Sequence, residues 1–402
     1  MFENIKLAPP DPIFALMHEF KSDQREGKID LTVGVYKDES GNTPILKSVK
    51  NAERQMLECE TTKSYLGIGG LDLFNEWVCK LVLGNDHPAI SSQRALTIQS
   101  PGATGALRIS GDFVAHSMPG AKVWCSKPTW SNHISIFEAA GVEIGQYSFL
   151  KENGIEFDFA TMLENVRNIS DGDAILLHTC CHNPTGFDPD RQQWKELLSL
   201  IAEKNLTPIF DFAYQGFFRS IEEDRWQILQ AVELGMTVLV CNSFSKNMGL
   251  YSERVGGLTL VAESEAVCQA LISQFKLHAR TIYSNPPKHG AYLAALILSD
   301  EKLRQDWVAE VDSMRNSLDN ARQMFVEKLQ SVVPDRDWSH ISQQSGMFSY
   351  SGLNAEQARR LRSEFAVYLL DSGRINVAGI KAGNVDRLCE SIATVCKASV
   401  AS

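Results

Sequence analysis

The chain has 402 residues, 44% hydrophobic and 22% charged, with a net charge of −10. This is enough for two or three domains, or for one large α/β domain with a smaller companion. The acidic balance without a basic block speaks against nucleic acid or an anionic membrane as partner, no apolar run approaches the ~18 residues of a membrane span, and the first residues lack the regions of a signal peptide, so a cytoplasmic protein is expected.

Asp11-Pro12 is a helix-start signal, and Ile13, Leu16, Met17 and Phe20 then fall on one face. Residues 31–36 read as a strand that runs into the turn cluster 37–42. From about residue 90, strands are predicted at 95–99, 122–125, 142–147, 174–178, 208–210, 237–241 and 255–261. Amphipathic helices separate most of them, as at 191–202, where Trp194, Leu197, Leu198 and Ile201 share a face. That alternation predicts a mainly parallel sheet covered on both sides. Ligands of such sheets bind outside the carboxyl ends of the strands. A long helix is predicted over 301–333, with Trp307, Val311, Met314, Leu318, Phe325, Leu329 and Val332 in period and Pro334 at its end. Short strands at 347–350 and 374–377 and helices at 355–364 and 385–395 follow. They suggest a smaller α+β unit from about 315 to 402. Nine cysteines are scattered without a Cys-x-x-Cys, which reads as reduced thiols. Cys180 and Cys181 precede His182, but neighbours on a strand point to opposite faces, so no metal site is expected.

The chemistry gathers at the predicted strand ends. Past the strand 237–241 stand Ser243, Ser245 and Lys246, with Arg254 eight residues beyond the lysine. Burial and a nearby cation lower a lysine pKa and leave free amine, the form that makes a Schiff base. The serines and the arginine suit a phosphate. Together they suggest pyridoxal phosphate, although an isolated Ser-x-Ser-Lys also reads as a solvated loop. Gly102, Ala103 and Thr104 open a helix after a strand, where free N–H groups bind phosphate; the plain alternative is a turn. Trp130 offers a face for a planar ring, or is a half-buried structural tryptophan. The Asn183 amide could bond a phenolic oxygen, or Asn183-Pro184 simply starts a turn. Asp211, at a buried strand end with Tyr214 near, needs a cationic partner; a pyridinium N–H, a helix cap or a salt bridge would serve. Arg280 and Arg374 suit two carboxylates, or structural ion pairs.

In this order and spacing the residues resemble the class I aspartate/aromatic aminotransferases, specifically their bacterial cytoplasmic branch, over nearly the whole chain. The resemblance implies the α/β fold of PLP-dependent transferases (type I). Residues 44–314 would form the large PLP-binding domain, 315–402 the small domain, and 1–43 an arm and part of the small domain. It implies pyridoxal 5′-phosphate held covalently by Lys246, which also shuttles the proton. Gly102, Ala103, Thr104, Ser243, Ser245 and Arg254 match the phosphate cradle, with Ala103 where the family usually has glycine. Asp211 matches the pyridinium partner, Asn183 and Tyr214 the donors to the ring oxygen, and Trp130 the stacking residue. Arg374 matches the arginine for the substrate α-carboxylate, helped by Asn183, Trp130 and the Gly34 backbone, with Phe348 as aromatic lining. Arg280 matches the arginine for the distal carboxylate and Tyr65 a catalytic-site tyrosine that reaches the phosphate and the lysine of the other subunit. Both are donated across an interface, so a homodimer is implied. The implied reaction is ping-pong transamination of L-aspartate with 2-oxoglutarate, giving oxaloacetate and L-glutamate. The alternative is an aromatic (phenylalanine or tyrosine) or dual-specificity enzyme. Val35, Lys37, Thr43, Thr104 and Asn285 look like the aspartate branch, and Ser64 like neither. A PLP-binding regulator would need a DNA-binding module that the sequence does not display. The paired arginines argue against a β-lyase or decarboxylase.

Overall fold

The computed structural model describes residues 2–7 and 11–398. Among the described residues eleven strands follow in chain order: β1 (Ile29–Asp30), β2 (Ala95–Pro101), β3 (Val123–Lys127), β4 (Ile144–Ser148), β5 (Ala174–His178), β6 (Thr207–Phe212), β7 (Val238–Ser243), β8 (Val255–Val261), β9 (Phe348–Tyr350), β10 (Val367–Tyr368) and β11 (Arg374–Asn376). Seven form one sheet in the order β2-β8-β7-β6-β5-β3-β4. Only β8 runs against its neighbours, β7 and β2; the other pairings are parallel. The reversal follows from the connection: residues 244–254 are too few for the helical crossover a parallel return needs. The start of β8 therefore lies beside the end of β7, with Ser243 opposite Gly256. Helices cover both faces, and the inner strands are apolar nearly throughout, as a sheet buried on both sides requires.

Two small sheets stand apart. β1 pairs in parallel with β10, and β9 pairs antiparallel with β11. The strand expected at 31–36 is not formed. Other groups take its backbone bonds: Asn376 Nδ2 donates to the Val33 and Val35 carbonyls, Arg374 Nη2 to Thr32 O, and the Tyr251 hydroxyl accepts from Tyr36 N–H. Side chains of Tyr251 and of the C-terminal segment thus satisfy much of this stretch in place of a neighbouring strand.

Helix Glu301–Val332 is close to its expected bounds, and its Asp300 cap accepts from Leu303 N–H at 2.9 Å. Trp307, Val311, Met314, Leu318, Phe325 and Leu329 form its buried seam. Helix Pro12–Ser22 is capped by Asp11, but of its expected apolar face only Leu16 is fully buried. Helices Lys47–Cys59 and Asp72–Leu83 fill a stretch where the sequence reading placed no element. One face of the sheet shares a continuous core that extends from Ile29 to Val395 and includes the small sheets; a second cluster fills the other face.

Candidate active site

The carboxyl ends of β5, β6 and β7, the end of β2 and the start of β8 meet at one edge of the sheet. A cavity of about 260 Å³ opens there. Lys246, Asp211, Asn183, Thr104, Ala103, Ser243, Ser245, Arg254, Trp130, Tyr214, Gly34 and Arg374 all line it, so the structure gathers residues spread over most of the sequence. Phe348, Ile13 and Ala213 complete the wall. Ile13 and Ala213 were not anticipated as site residues, since nothing in an apolar helix face or a lone alanine marks them.

One end of the cavity is an anion cradle. Helix Gly102–Ser117 starts directly after β2 with no side chain capping it. Its first N–H groups carry the positive end of the helix dipole. Gly102 has φ 68°, and a Cβ there would lie 2.7 Å from Arg254 Nη2. Only glycine lets the guanidinium come so close to the helix start. Arg254 Nη1 donates to Tyr251 O at 3.1 Å and to Ser245 Oγ at 3.4 Å. Ser243 Oγ accepts from Ser245 N–H at 3.2 Å.

The central part holds the titratable groups. Burial lowers the Lys246 pKa; Asp211 opposes that shift and Arg254 adds to it. The ammonium stands 5.5 Å from the centre of the Tyr214 ring. Asp211 is 8% exposed. Its Oδ2 accepts from His133 Nε2 at 3.0 Å, and its Oδ1 is buried without a partner. Burial pushes this carboxyl up, but the His133 hydrogen bond, with His133, His178 and Lys246 close by, outweighs it and holds the pKa below the ordinary value. Behind His133, its Nδ1 meets Thr129 Oγ1 at 2.8 Å, and Thr129 Oγ1 meets His178 Nε2 at 3.1 Å. Burial, with His133 close by, pulls His178 down to about 3. The sequence reading missed this row. The one available hint was the four-residue spacing of Thr129 and His133 beside Trp130.

Arg374 closes the other end and is 4% exposed. Its Nη2 donates to Thr32 O at 2.8 Å, its Nη1 reaches Asn183 Oδ1 at 3.5 Å, and its Nε is buried without a partner. Burial pulls its pKa down to about 10. The guanidinium lies 4.2 Å from the centre of the Phe348 ring. A Cβ on Gly34 would fall 2.6 Å from the tip of that ring, which explains glycine at this point of the wall.

Tyr65 and Arg280 are not brought into this cavity. Tyr65 is 93% exposed, and Arg280 is an exposed residue whose Nη1 donates to Ser284 Oγ. Of the branch-marking residues, Lys37 pairs with Asp30 at 2.9 Å and Asn285 Nδ2 donates to Leu66 O at 2.9 Å. Ser64 shares a hydrogen bond with Thr62. Cys180 and Cys181 are buried free thiols, and the described residues include no group of three or more His, Cys, Asp or Glu placed to hold a metal ion.

An amine nucleophile, an ionised carboxylate with an empty acceptor and a buried guanidinium, set around a helix-end anion cradle, define an α/β enzyme that works on amino or oxo acids through a bound electrophile. The comparisons name the family. The model for "Aminotransferase class I and II" matches residues 26–392, and the chain belongs to that family. It is 48% identical over 395 residues to an aspartate aminotransferase of Salmonella typhi, covering 98% of this chain and 100% of that one. It is 46% identical to an aromatic-amino-acid aminotransferase of Pseudomonas aeruginosa, covering 98% and 99%. The fold superposes with a TM-score of 0.96 on an aromatic-amino-acid aminotransferase from Burkholderia pseudomallei covalently bound to pyridoxal phosphate, at 40% identity over 98% of this chain and 99% of that one.

Proposed function

We propose that this aminotransferase uses pyridoxal 5′-phosphate to move the amino group of L-aspartate to 2-oxoglutarate, giving oxaloacetate and L-glutamate. The observation that carries the reading is the single cavity shared by Lys246, Asp211 and Arg374. The residues fit the cofactor. The buried, unpartnered Asp211 Oδ1 suits a pyridinium N–H. The uncapped helix start at Gly102, Ala103 and Thr104, with Ser243, Ser245 and Arg254, suits the phosphate.

When bound, the cofactor supplies a carbonyl carbon for the amino group to attack and a ring that takes up negative charge. Lys246, its ammonium weakened by burial, anchors the cofactor at rest. Freed by the substrate amine, its Nζ would take the proton from substrate Cα as a base and hand it, as an acid, to the carbon that had been the cofactor's carbonyl. Asp211, fixed by His133 through Oδ2, would keep a proton on the ring nitrogen through its unpartnered Oδ1. Asn183 and Tyr214 would bond the ring oxygen, and Trp130 would give the ring an aromatic wall. Arg374 binds the substrate α-carboxylate with its free Nε–H and its Nη1, supported by Asn183 and the Gly34 backbone. The second substrate is then aminated by the same residues acting in reverse, which makes the kinetics ping-pong.

The exposure of Tyr65 and Arg280 supports a homodimer in which each chain lends them to its partner, Tyr65 to the phosphate and lysine, Arg280 to the distal carboxylate. Residues 44–314 form the large unit, and 315–402 with part of 1–43 the small one; the β1–β10 pairing supports that grouping. The enzyme works in the cytoplasm. Relatives named aspartate aminotransferases at 47–48% identity support aspartate as donor. The 46% identity to an aromatic enzyme keeps phenylalanine and tyrosine as the second reading.

The test is a titration of the visible spectrum with L-aspartate and then L-phenylalanine, with no 2-oxo acid present. Conversion by aspartate at much lower concentration is expected. Equal or better conversion by phenylalanine moves the enzyme to the aromatic reading. No cofactor absorbance after adding pyridoxal phosphate overturns both.

A further inference from the structure

Behind the cavity wall lies a polar junction that the mechanism above does not use. Asp188 is a half-buried carboxylate in the segment that follows Asn183. Its Oδ2 accepts the Cys181 N–H at 2.8 Å and its Oδ1 the His182 N–H at 3.2 Å, so it holds the two residues directly before Asn183. The same Oδ2 accepts the Ser345 hydroxyl at 2.5 Å. Ser345 N–H donates in turn to Gly186 O at 2.6 Å. Ser345 lies three residues before Phe348, the ring that carries the Arg374 guanidinium. One carboxylate thus connects the Asn183 loop to the segment that shapes the Arg374 pocket.

The two segments are pressed together along their backbones. A Cβ on Gly186 would lie 2.5 Å from Phe348 O, and one on Gly346 would lie 2.5 Å from Cys181 Cβ. Both glycines have positive φ. From the long helix, Arg322 Nη2 donates to Gly346 O at 2.6 Å and its Nη1 to Asp319 at 3.1 Å. So the junction is held by hydrogen bonds and by close backbone packing.

We propose that Asp188 and Ser345 are positioning residues that set the span between Asn183 and Arg374, and with it the fit of the substrate α-carboxylate. The proposal rests on the reading of the cavity as the aminotransferase site and deepens it. Arg374 Nη1 reaches Asn183 Oδ1 at 3.5 Å, near the limit of a hydrogen bond, so a small shift of either segment separates the two. Cofactor groups such as Lys246, Asp211 and Arg254 lie on β6 and the β7–β8 connection, outside the junction. Loosening it should therefore weaken carboxylate binding most and cofactor binding little, since Asn183 is one of several groups that hold the cofactor.

The experiment compares Ser345→Ala and Ser345→Thr with the wild-type holoenzyme. Three quantities are read: the Kd of succinate, a dicarboxylate with no amino group; the KM and kcat for L-aspartate; and the affinity of the cofactor-free protein for pyridoxal phosphate. Losing a hydrogen bond to a charged acceptor should raise the succinate Kd and aspartate KM about fivefold to tenfold in Ser345→Ala. The kcat and cofactor affinity should stay within about twofold, and Ser345→Thr, which keeps the hydroxyl, should recover most of the loss. Asp188→Asn should shift the same two constants in the same direction. Unchanged succinate binding overturns the proposal. So does a parallel loss of succinate and cofactor affinity with a lowered Tm, which marks general loosening. A wild-type holoenzyme that neither binds succinate nor transaminates aspartate would sink the reading of the site itself, whereas a normal wild type with a silent Ser345→Ala sinks only the junction.

Discussion

Replacing Asp211 by asparagine keeps the shape of the side chain and removes its charge. Two donors need it: His133, 3.0 Å from Oδ2, and the ring nitrogen assigned to the empty Oδ1. Asparagine has one acceptor oxygen, so one donor would face an NH₂ group. Removing one partner of a buried charged pair costs about 3–5 kcal/mol. At about 1.36 kcal/mol per decade that is roughly 10²- to 10⁴-fold in rate. Because the remaining oxygen still accepts one hydrogen bond, the lower part of that range, about 10²- to 10³-fold, is expected. The assay is rapid-mixing absorbance of the half-reaction with L-aspartate, after checking that the variant retains cofactor. A loss below tenfold with the cofactor bound would refute Asp211 as the partner of the ring nitrogen.

Lys246→Ala should still take up pyridoxal phosphate through the cradle and ring contacts but transaminate negligibly; near-normal turnover would remove it from the mechanism. Arg280→Leu should reduce kcat/KM for aspartate far more than for phenylalanine, since only aspartate has a distal carboxylate, and equal losses would contradict that role. Burial pushes the Asp188 carboxyl from 3.8 up to about 6. A raised carboxyl is protonated more readily in the folded chain, so its contribution to stability is full below the unfolded pKa and is lost as pH rises towards 6. The difference is about 3 kcal/mol at most. Thermal melts of the cofactor-free protein from pH 4.5 to 7 should therefore show the wild type losing stability relative to Asp188→Asn, and parallel curves would count against the shift.

Lys246 and Arg254 were legible because they follow a short apolar run with small polar residues between, and that run is the buried strand β7, which ends at the cavity. Asp211 and Asn183 were legible because they stand at or just past strand ends of a parallel sheet. His133 was not, because its role depends on a contact with a residue 78 positions away, which no local pattern records. Asp188 went unnoticed because a charged residue after a turn looks solvated until the small sheet is laid over it. Residues 31–36 failed differently. Their apolar, β-branched character is real, but Asn376 and Arg374 claimed the backbone groups that a neighbouring strand would have bonded.

The boundary proposed at residue 314 falls inside helix Glu301–Val332, where Met314 is part of the buried seam. The core on that side of the sheet runs without a break into the C-terminal segment. A protease seeking a linker there meets only hydrogen-bonded helix, and a gene cut at that codon would yield two fragments, each with a raw apolar face. Amide protons on both sides of residue 314 should exchange through one shared opening, so the two units, distinct in their sheets, would melt as a single cooperative body.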